Sequence, residues 1–367
     1  MIFFHRRATA GFSVSSLISL CLLMWAPLER SANAQTQPHT QPWVQDLPPG
    51  ASIPPDYRLT TGGLLRHKSC IHQVPNGSHI GLDWVARDDN GNVLQQIQPC
   101  GLPAYRRGQQ GAAQNQDAGQ GPTTSPTNGW VAFTSQGVSG ANLDWSLILS
   151  VFTVPSTPND TNALNNYFTG WEPGNSVNQV LQPEVYWGDF EYGGGQYWSM
   201  LDVVQFQNNA DEINSGLDTV ETGDLVEFYV SYVEIEDNVC GDEMTNSGYQ
   251  YTCGDAIWYE LSAYDGTTTH GRSTQQQILY IAQIFNSGSD TPPNGSLFTN
   301  AFGAVFESYG DTSCEPAGEF EAISLEAFTA TTNFNAVTYA PLSNIGPGAN
   351  PGCTNNTATS GTTSFVY

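Results

Sequence analysis

Between Trp130 and Tyr367 the chain is built from long runs of β-branched and aromatic residues, broken by clusters of Gly, Pro, Asn and Asp. Trp145-Ser-Leu-Ile-Leu-Ser-Val-Phe-Thr-Val, Leu225-Val-Glu-Phe-Tyr-Val-Ser-Tyr-Val-Glu-Ile and Ala256-Ile-Trp-Tyr-Glu-Leu-Ser-Ala-Tyr are the clearest. Such residues fit a pleated, half-buried surface, and the breaker clusters supply turns. Helical periodicity is weak, with Thr274 to Phe285 the best short helix candidate, and no repeat of fixed period is present. The stretch is long enough to bury one large core. Many strands with Gly/Pro turns predict an all-β, jelly-roll or concanavalin-like antiparallel β-sandwich over residues 129–367.

The first 128 residues read differently. Residues 1–34 have the form of a signal peptide: Arg6 and Arg7, an apolar run from Phe12 to Ala26, then Ala32-Asn33-Ala34 before Gln35. The apolar run is shorter than the roughly 20 residues that span a bilayer, and no later stretch is apolar enough. Export, with no membrane contact after signal cleavage, is the expectation. Residues 35–105 form an N-terminal segment, either a propeptide or a retained accessory unit. Within it, His67 to Tyr105 has short alternating runs, an Asp89-Asn90-Gly91 turn signal and two cysteines. Residues 106–128, rich in Gln, Gly, Ala, Pro and Thr, read as a flexible linker. Once Cys21 leaves with the signal, six cysteines remain, an even number that fits disulfides in an oxidising compartment. Fifteen connectivities are open. Pairing nearest in sequence gives Cys70–Cys100, Cys240–Cys253 and Cys314–Cys353, and no CxxC spacing points to zinc.

Charge then narrows the chemistry. From Gly129 onward there is one arginine (Arg272), one histidine (His270) and no lysine. Seven of the 35 acidic residues precede Gly129, which leaves 28 against that arginine and a formal charge of −27. A nucleic-acid groove needs clustered Lys and Arg, so no nucleic-acid partner is expected. A His-rich metal site cannot be built, and no metal or cofactor is expected. Any chemistry must rest mainly on carboxylates, amides, hydroxyls and aromatics. The same charge fits an acidic workplace better than a halophilic surface, since only 12% of residues are charged and unperturbed Asp and Glu are half protonated at about pH 3.9 and 4.3. Protonation relieves the mutual repulsion that destabilises a compact state.

Two strand-borne polar residues stand out. In Val180-Leu-Gln-Pro-Glu-Val-Tyr-Trp187 side chains alternate, so Val180, Gln182, Glu184 and Tyr186 share one face. Leu181, Pro183, Val185 and Trp187 share the apolar other. In Gly303-Ala-Val-Phe-Glu307, Glu307 shares a face with Val305 and Gly303. Pro183 inside a strand predicts an edge, a bend or a bulge.

Several segments, in order, resemble the eqolisins, a family of glutamic peptidases. Ser150-Val-Phe-Thr-Val-Pro155 is similar to the family's early strand, and Phe168-Thr-Gly-Trp-Glu172 resembles its Trp-Val-Gly-Ile-Asp. Ten residues on, Leu181-Gln182 falls where the family has the Leu-Gln that carries its catalytic Gln. Ser199-Met-Leu-Asp202 sits near its Ala-Trp-Tyr-Glu strand, Gly223-Asp224 matches its Gly-Asp, and Ala304-Val-Phe-Glu307 is similar to its Trp-Ile-Val-Glu. Ala327-Phe-Thr-Ala resembles its closing strand. Phe168 and Ala304 stand at family Trp positions, Tyr186 at a family Asp, and Pro183 where a small residue is usual. The resemblance implies an acid endopeptidase with Gln182 and Glu307 as the catalytic pair and Phe168, Glu172, Tyr186 and Asp202 around the substrate. The partner it implies is a protein or peptide substrate, and a monomeric enzyme is expected.

A second class stays open, a non-enzymatic, carbohydrate-binding or carbohydrate-active secreted β-sandwich protein. β-Sandwiches also host lectins and glycan-active enzymes. Trp187, Tyr192, Tyr197, Trp198, Trp258 and Tyr259 can stack on sugars, and Asp189, Glu191 and Asp202 are available as paired carboxylates. Gly193-Gly-Gly195 reads either as a flap over a cleft or as a hairpin turn.

Overall fold

The computed structural model describes residues 44–48, 51–106, 128–137, 144–173, 179–190, 193–206, 210–245, 248–267, 275–285, 298–311, 318–328, 334–337, 342–345, 355–359 and 362–366. The signal-peptide region, most of the linker, Cys314 and Cys353 lie outside them.

The N-terminal segment contributes β1 (Val44–Asp46), β2 (Tyr57–Leu59), β3 (Leu64–His67), β4 (Ile71–Gln73), β5 (Ser78–Ile80), β6 (Val85–Arg87), β7 (Val93–Gln96) and β8 (Ala104–Arg106). The body begins with β9 (Asn128–Gly137), β10 (Asp144–Thr153), β11 (Leu164–Pro173), β12 (Gln179–Phe190) and β13 (Gly193–Phe206). Two short strands, β14 (Glu212–Asn214) and β15 (Asp218–Val220), precede the long hairpin β16 (Leu225–Thr245) and β17 (Gly248–Asp265). β18 (Gln275–Phe285), β19 (Phe298–Tyr309) and β20 (Gly318–Phe328) complete the main layers. The last strands are β21 (Phe334–Val337), β22 (Leu342–Ile345), β23 (Asn355–Thr359) and β24 (Thr362–Val366).

These strands form the expected antiparallel sandwich. One sheet runs β22-β9-β19-β11-β12-β13-β14-β4, with β15 beside β13. The other runs β23-β24-β20-β10-β16-β17-β18-β5-β6-β7, with β21 beside β20. Period-2 alternation turns Tyr167, Trp171, Leu181, Val185, Trp198, Met200 and Phe306 of the first sheet inward. They meet Phe152, Phe228, Tyr259, Leu261 and Phe320 of the second. Tyr167 lies between the layers, its ring stacked 4.8 Å from Phe152 and 4.5 Å from Phe306. Aromatic pairs at such spacing add to the burial itself.

The N-terminal segment is not a separate body. A small sheet, β1-β8-β3-β2, is its own. β4, however, extends the first sheet by pairing parallel with β14, and β5 extends the second by pairing parallel with β18. The segment therefore joins both layers at one side. Cys70–Cys100 links its halves, and Cys240–Cys253 bridges directly opposed residues of the β16–β17 hairpin. Both pairings match the nearest-in-sequence expectation.

One expectation fails here and a second is narrowed, each for a physical reason. The helix over Thr274–Phe285 is instead strand β18. Gln277, Leu279 and Ile281 are buried while Gln276 is exposed and Ile278 and Tyr280 are half-buried, so the period is two. Tertiary pairing with β17 and β5 overrides the helical propensity of the Gln run. Pro183 lies not at an edge but in β12, between β11 and β13. The β11–β12 ladder pairs Phe168 with Glu184 and next Trp171 with Leu181, skipping Thr169 and Gly170. That gap accommodates the missing N–H of Pro183. Gly170 permits it, because a Cβ there would collide with the Leu181 carbonyl oxygen.

Candidate functional site

Gln182 and Glu307 lie on the same face of the first sheet, the face turned away from the inter-sheet core. Strand register places them in rows. Glu307, Asn166 and Tyr186 stand side by side on β19, β11 and β12. Val305, Phe168, Glu184 and Leu201 form the next row. Gln182 and Val203 follow in the third. Glu184 thus occupies the row between the two residues singled out by the sequence.

The side chains form one buried network. Gln182 Nε2 donates to Glu184 Oε2 at 2.8 Å, and Asn166 Nδ2 donates to the same oxygen at 2.9 Å. The Tyr309 hydroxyl donates to Glu307 Oε1. Gln182 is 2% exposed and Glu184, Asn166 and Glu307 are 0% exposed. Burial pushes the Glu184 carboxyl well above the ordinary glutamate range; the Asn166 and Gln182 amides oppose the shift, and the charges of Glu212 and Glu307 add to it.

The N-terminal segment closes this face. A 3-10 turn at Thr61–Gly63 lies across it. Gln182 Nε2 donates to Thr61 Oγ1 at 3.0 Å, and Gln205 Nε2 donates to both the carbonyl and the hydroxyl of Thr61. An amide nitrogen carries two hydrogens, so Thr61 and Glu184 together use both donors of Gln182. Leu59 packs on the apolar part of the same face with Tyr186, Leu201, Val203 and Tyr309. Arg66 anchors the turn from below. It is fully buried, pairs with Glu212 at 3.2 Å and donates to the carbonyl of Asp211 at 3.0 Å. The body itself has almost no cations, and the N-terminal segment supplies this one.

The remaining sequence candidates divide. Phe168 joins the site face, packed with Phe302 and Val305 beside Glu184. Tyr186 is on it too, but its hydroxyl donates to the Gly193 carbonyl at 3.1 Å and ties down the β12–β13 hairpin. That hairpin contains Gly193–Gly195, each paired with β12. The backbone of Glu172 pairs with Asn300 in the β11–β19 ladder; its side chain lies outside the description. Asp202 does not join the others. It opposes Pro183 on the core-facing side of β13. Burial, with Glu260 and Glu184 adding charge, pushes its carboxyl well above the usual range. Neither of its oxygens has a hydrogen bond of normal geometry among the described residues, and the nearby Ala263 backbone offsets only part of the burial.

Sequence reading passed over Glu184, Asn166, Tyr309, Gln205 and Thr61. Glu184 and Tyr309 are each two residues from a chosen candidate, Gln182 and Glu307, and alternation alone places them on the same face. Nothing local marks Thr61, which reaches the site across 121 residues of chain. Among the described residues no group of His, Cys, Asp and Glu is arranged to hold a metal ion.

Comparison with family models and with curated proteins returns no match. Among solved structures, the chain is distantly similar to scytalidoglutamic peptidase with a peptide-based transition state analog, at 14% identity and a TM-score of 0.37. It is similar at 14% identity and a TM-score of 0.36 to SCP-B, a member of the eqolisin family, in complex with the tripeptide Ala-Ile-His. In both cases 66% of this chain covers 100% of the other. The resemblance to eqolisins is thus a distant one.

Proposed function

We propose that the chain is a secreted, acid-acting glutamic endopeptidase in which Glu307 activates water and Gln182 receives the oxyanion. The observation that carries this reading is the placement of Gln182 and Glu307 on one face of one sheet, with a chain segment laid across it. The Gln182 amide donates to an oxygen of that segment, the Thr61 hydroxyl. In the reaction a scissile carbonyl oxygen takes the place of that hydroxyl. The Glu307 carboxylate removes a proton from water as the water attacks, and returns it to the leaving amine. The Gln182 N–H holds the tetrahedral oxygen as its charge develops. No histidine is needed, which suits a body so poor in bases. The two disulfides and the basic-apolar-small order of residues 1–34 support export.

The arrangement described is the covered one, so substrate entry requires the Thr61 turn to lift. Residues 44–106 are held by strand pairing in both sheets, which favours a retained accessory segment over a propeptide that simply falls away. The test is digestion of a denatured protein by secreted material at pH 3–5, whose N-terminus is read in parallel and should lie near Gln35. Glu307→Gln keeps size and hydrogen bonding but removes the base, and should abolish cleavage. Gln182→Ala should cost about 10²–10³ in rate, the usual worth of one oxyanion donor. Equal cleavage by Glu307→Gln and wild type refutes the assignment, and so does an inactive, folded wild type.

A further inference from the structure

We propose that Glu184 is the positioning residue of this site: set in the row between Gln182 and Glu307, it fixes which way the Gln182 amide faces. The inference rests on the peptidase reading and adds a residue to it.

The geometry leads there step by step. A glutamine side chain has two ends of opposite character, and only the nitrogen end can serve an oxyanion. Something must choose between them. Here Glu184 Oε2 accepts from Gln182 Nε2 at 2.8 Å and from Asn166 Nδ2 at 2.9 Å. One hydrogen of the Gln182 nitrogen is thereby fixed, and the other is aimed at the place now held by Thr61 Oγ1. Glu184 Oε1 is buried with no hydrogen-bond partner among the described residues. With Oε2 already accepting two N–H groups, the proton of the neutral acid resides on Oε1.

The neutral form matters because of what surrounds it. Glu307 faces Glu184 from β19, Glu212 approaches from β14, and Asp202 lies on the other side of β13. Arg66 on β3, a buried cation, is paired with Glu212. A second negative charge on Glu184 would sit against the same amide nitrogen that must stabilise a developing oxyanion. Like charges so close in a dry site oppose each other strongly. Turnover therefore needs Glu184 protonated, and its ionisation sets the upper pH limit of activity. The acid working range thus has a local cause besides the surface charge.

The test compares Glu184→Gln and Glu184→Met in the full chain. The amide introduced by Glu184→Gln keeps an acceptor oxygen for Gln182 and Asn166 but cannot ionise; methionine keeps the volume and loses the acceptor. Glu184→Met should lose about 10²–10³ in kcat with KM little changed, because Gln182 is free to turn. Glu184→Gln should recover part of that loss and carry its alkaline limb to higher pH. An unmoved limb, or identical behaviour of the two variants, overturns the proposal. The second measurement needs no turnover: the side-chain N–H resonances of Gln182, observed in glutamine-labelled protein during a pH titration. In wild type they should step as Glu184 ionises; the step should be absent in Glu184→Gln, and the resonances themselves displaced in Glu184→Met. An inactive wild type that still shows the step condemns the peptidase reading and leaves the Glu184 contact standing. Absence of the step in folded wild type condemns the Glu184 proposal alone.

Discussion

Replacing Asp202 with asparagine should flatten the pH dependence of stability. Asp202 is 0% exposed on the core side of β13, and burial holds its carboxyl well above the ordinary range. Well below about pH 3.9 it is protonated in both the folded and unfolded chains and contributes no pH dependence. As pH rises past that point the unfolded chain releases its proton while the folded chain keeps it. Stability then falls by about 1.4 kcal/mol per pH unit for the retained proton, until pH passes the folded-state value. Over the range in which the folded chain keeps the proton, the wild type should therefore lose stability relative to Asp202→Asn as pH rises. Asparagine has the same shape and no proton, so its own burial cost is a pH-independent offset of about 1–3 kcal/mol. Urea unfolding of both proteins at matched ionic strength, from pH 3.5 to pH 7, reads the difference in slope directly. A difference that stays constant across that range refutes the reasoning. Glu184, also buried and raised, should add a slope of the same sign.

Arg66→Met should destabilise the chain by about 3–5 kcal/mol, because it removes the buried cation paired with Glu212 and its hydrogen bonds to the Phe206 and Asp211 carbonyls. Chemical denaturation measures this, and a loss no larger than the roughly 1 kcal/mol of a surface ion pair would count against a buried anchor. Gly170→Ala drives a Cβ into the Leu181 carbonyl oxygen and places it 3.4 Å from the Gln182 Cα, where the obstructing atoms are backbone. Overpacking of this kind costs about 1–3 kcal/mol and should shift Gln182 along with it. An unchanged unfolding midpoint would show that β12 yields freely.

Local chemistry was enough to specify the layers. The runs around Trp145, Leu225 and Ala256 became β10, β16 and β17 because β-branched and aromatic residues fit a pleated surface whatever their partners. Alternation also assigned Gln182, Glu184 and Tyr186 to one side of β12 and Leu181, Val185 and Trp187 to the core, since successive side chains must point to opposite faces. Period alone misread Thr274 to Phe285, because a Gln-rich run has no strong preference until β17 and β5 pair with it. It could not place Pro183 in a central strand either, since that depends on Gly170 in another strand. Tertiary structure alone decided what the candidate residues meet. Asp202 went into the core, apart from Gln182 and Glu307, because β13 register set its face. Thr61 came to lie on the Gln182 amide, and Arg66 against Glu212, through parallel pairings of β4 and β5 with strands far along the chain. Faces follow from the geometry of neighbouring residues, which a sequence contains. Contacts across 121 residues follow from which chain segments pack together, and that is fixed only when the whole sandwich closes.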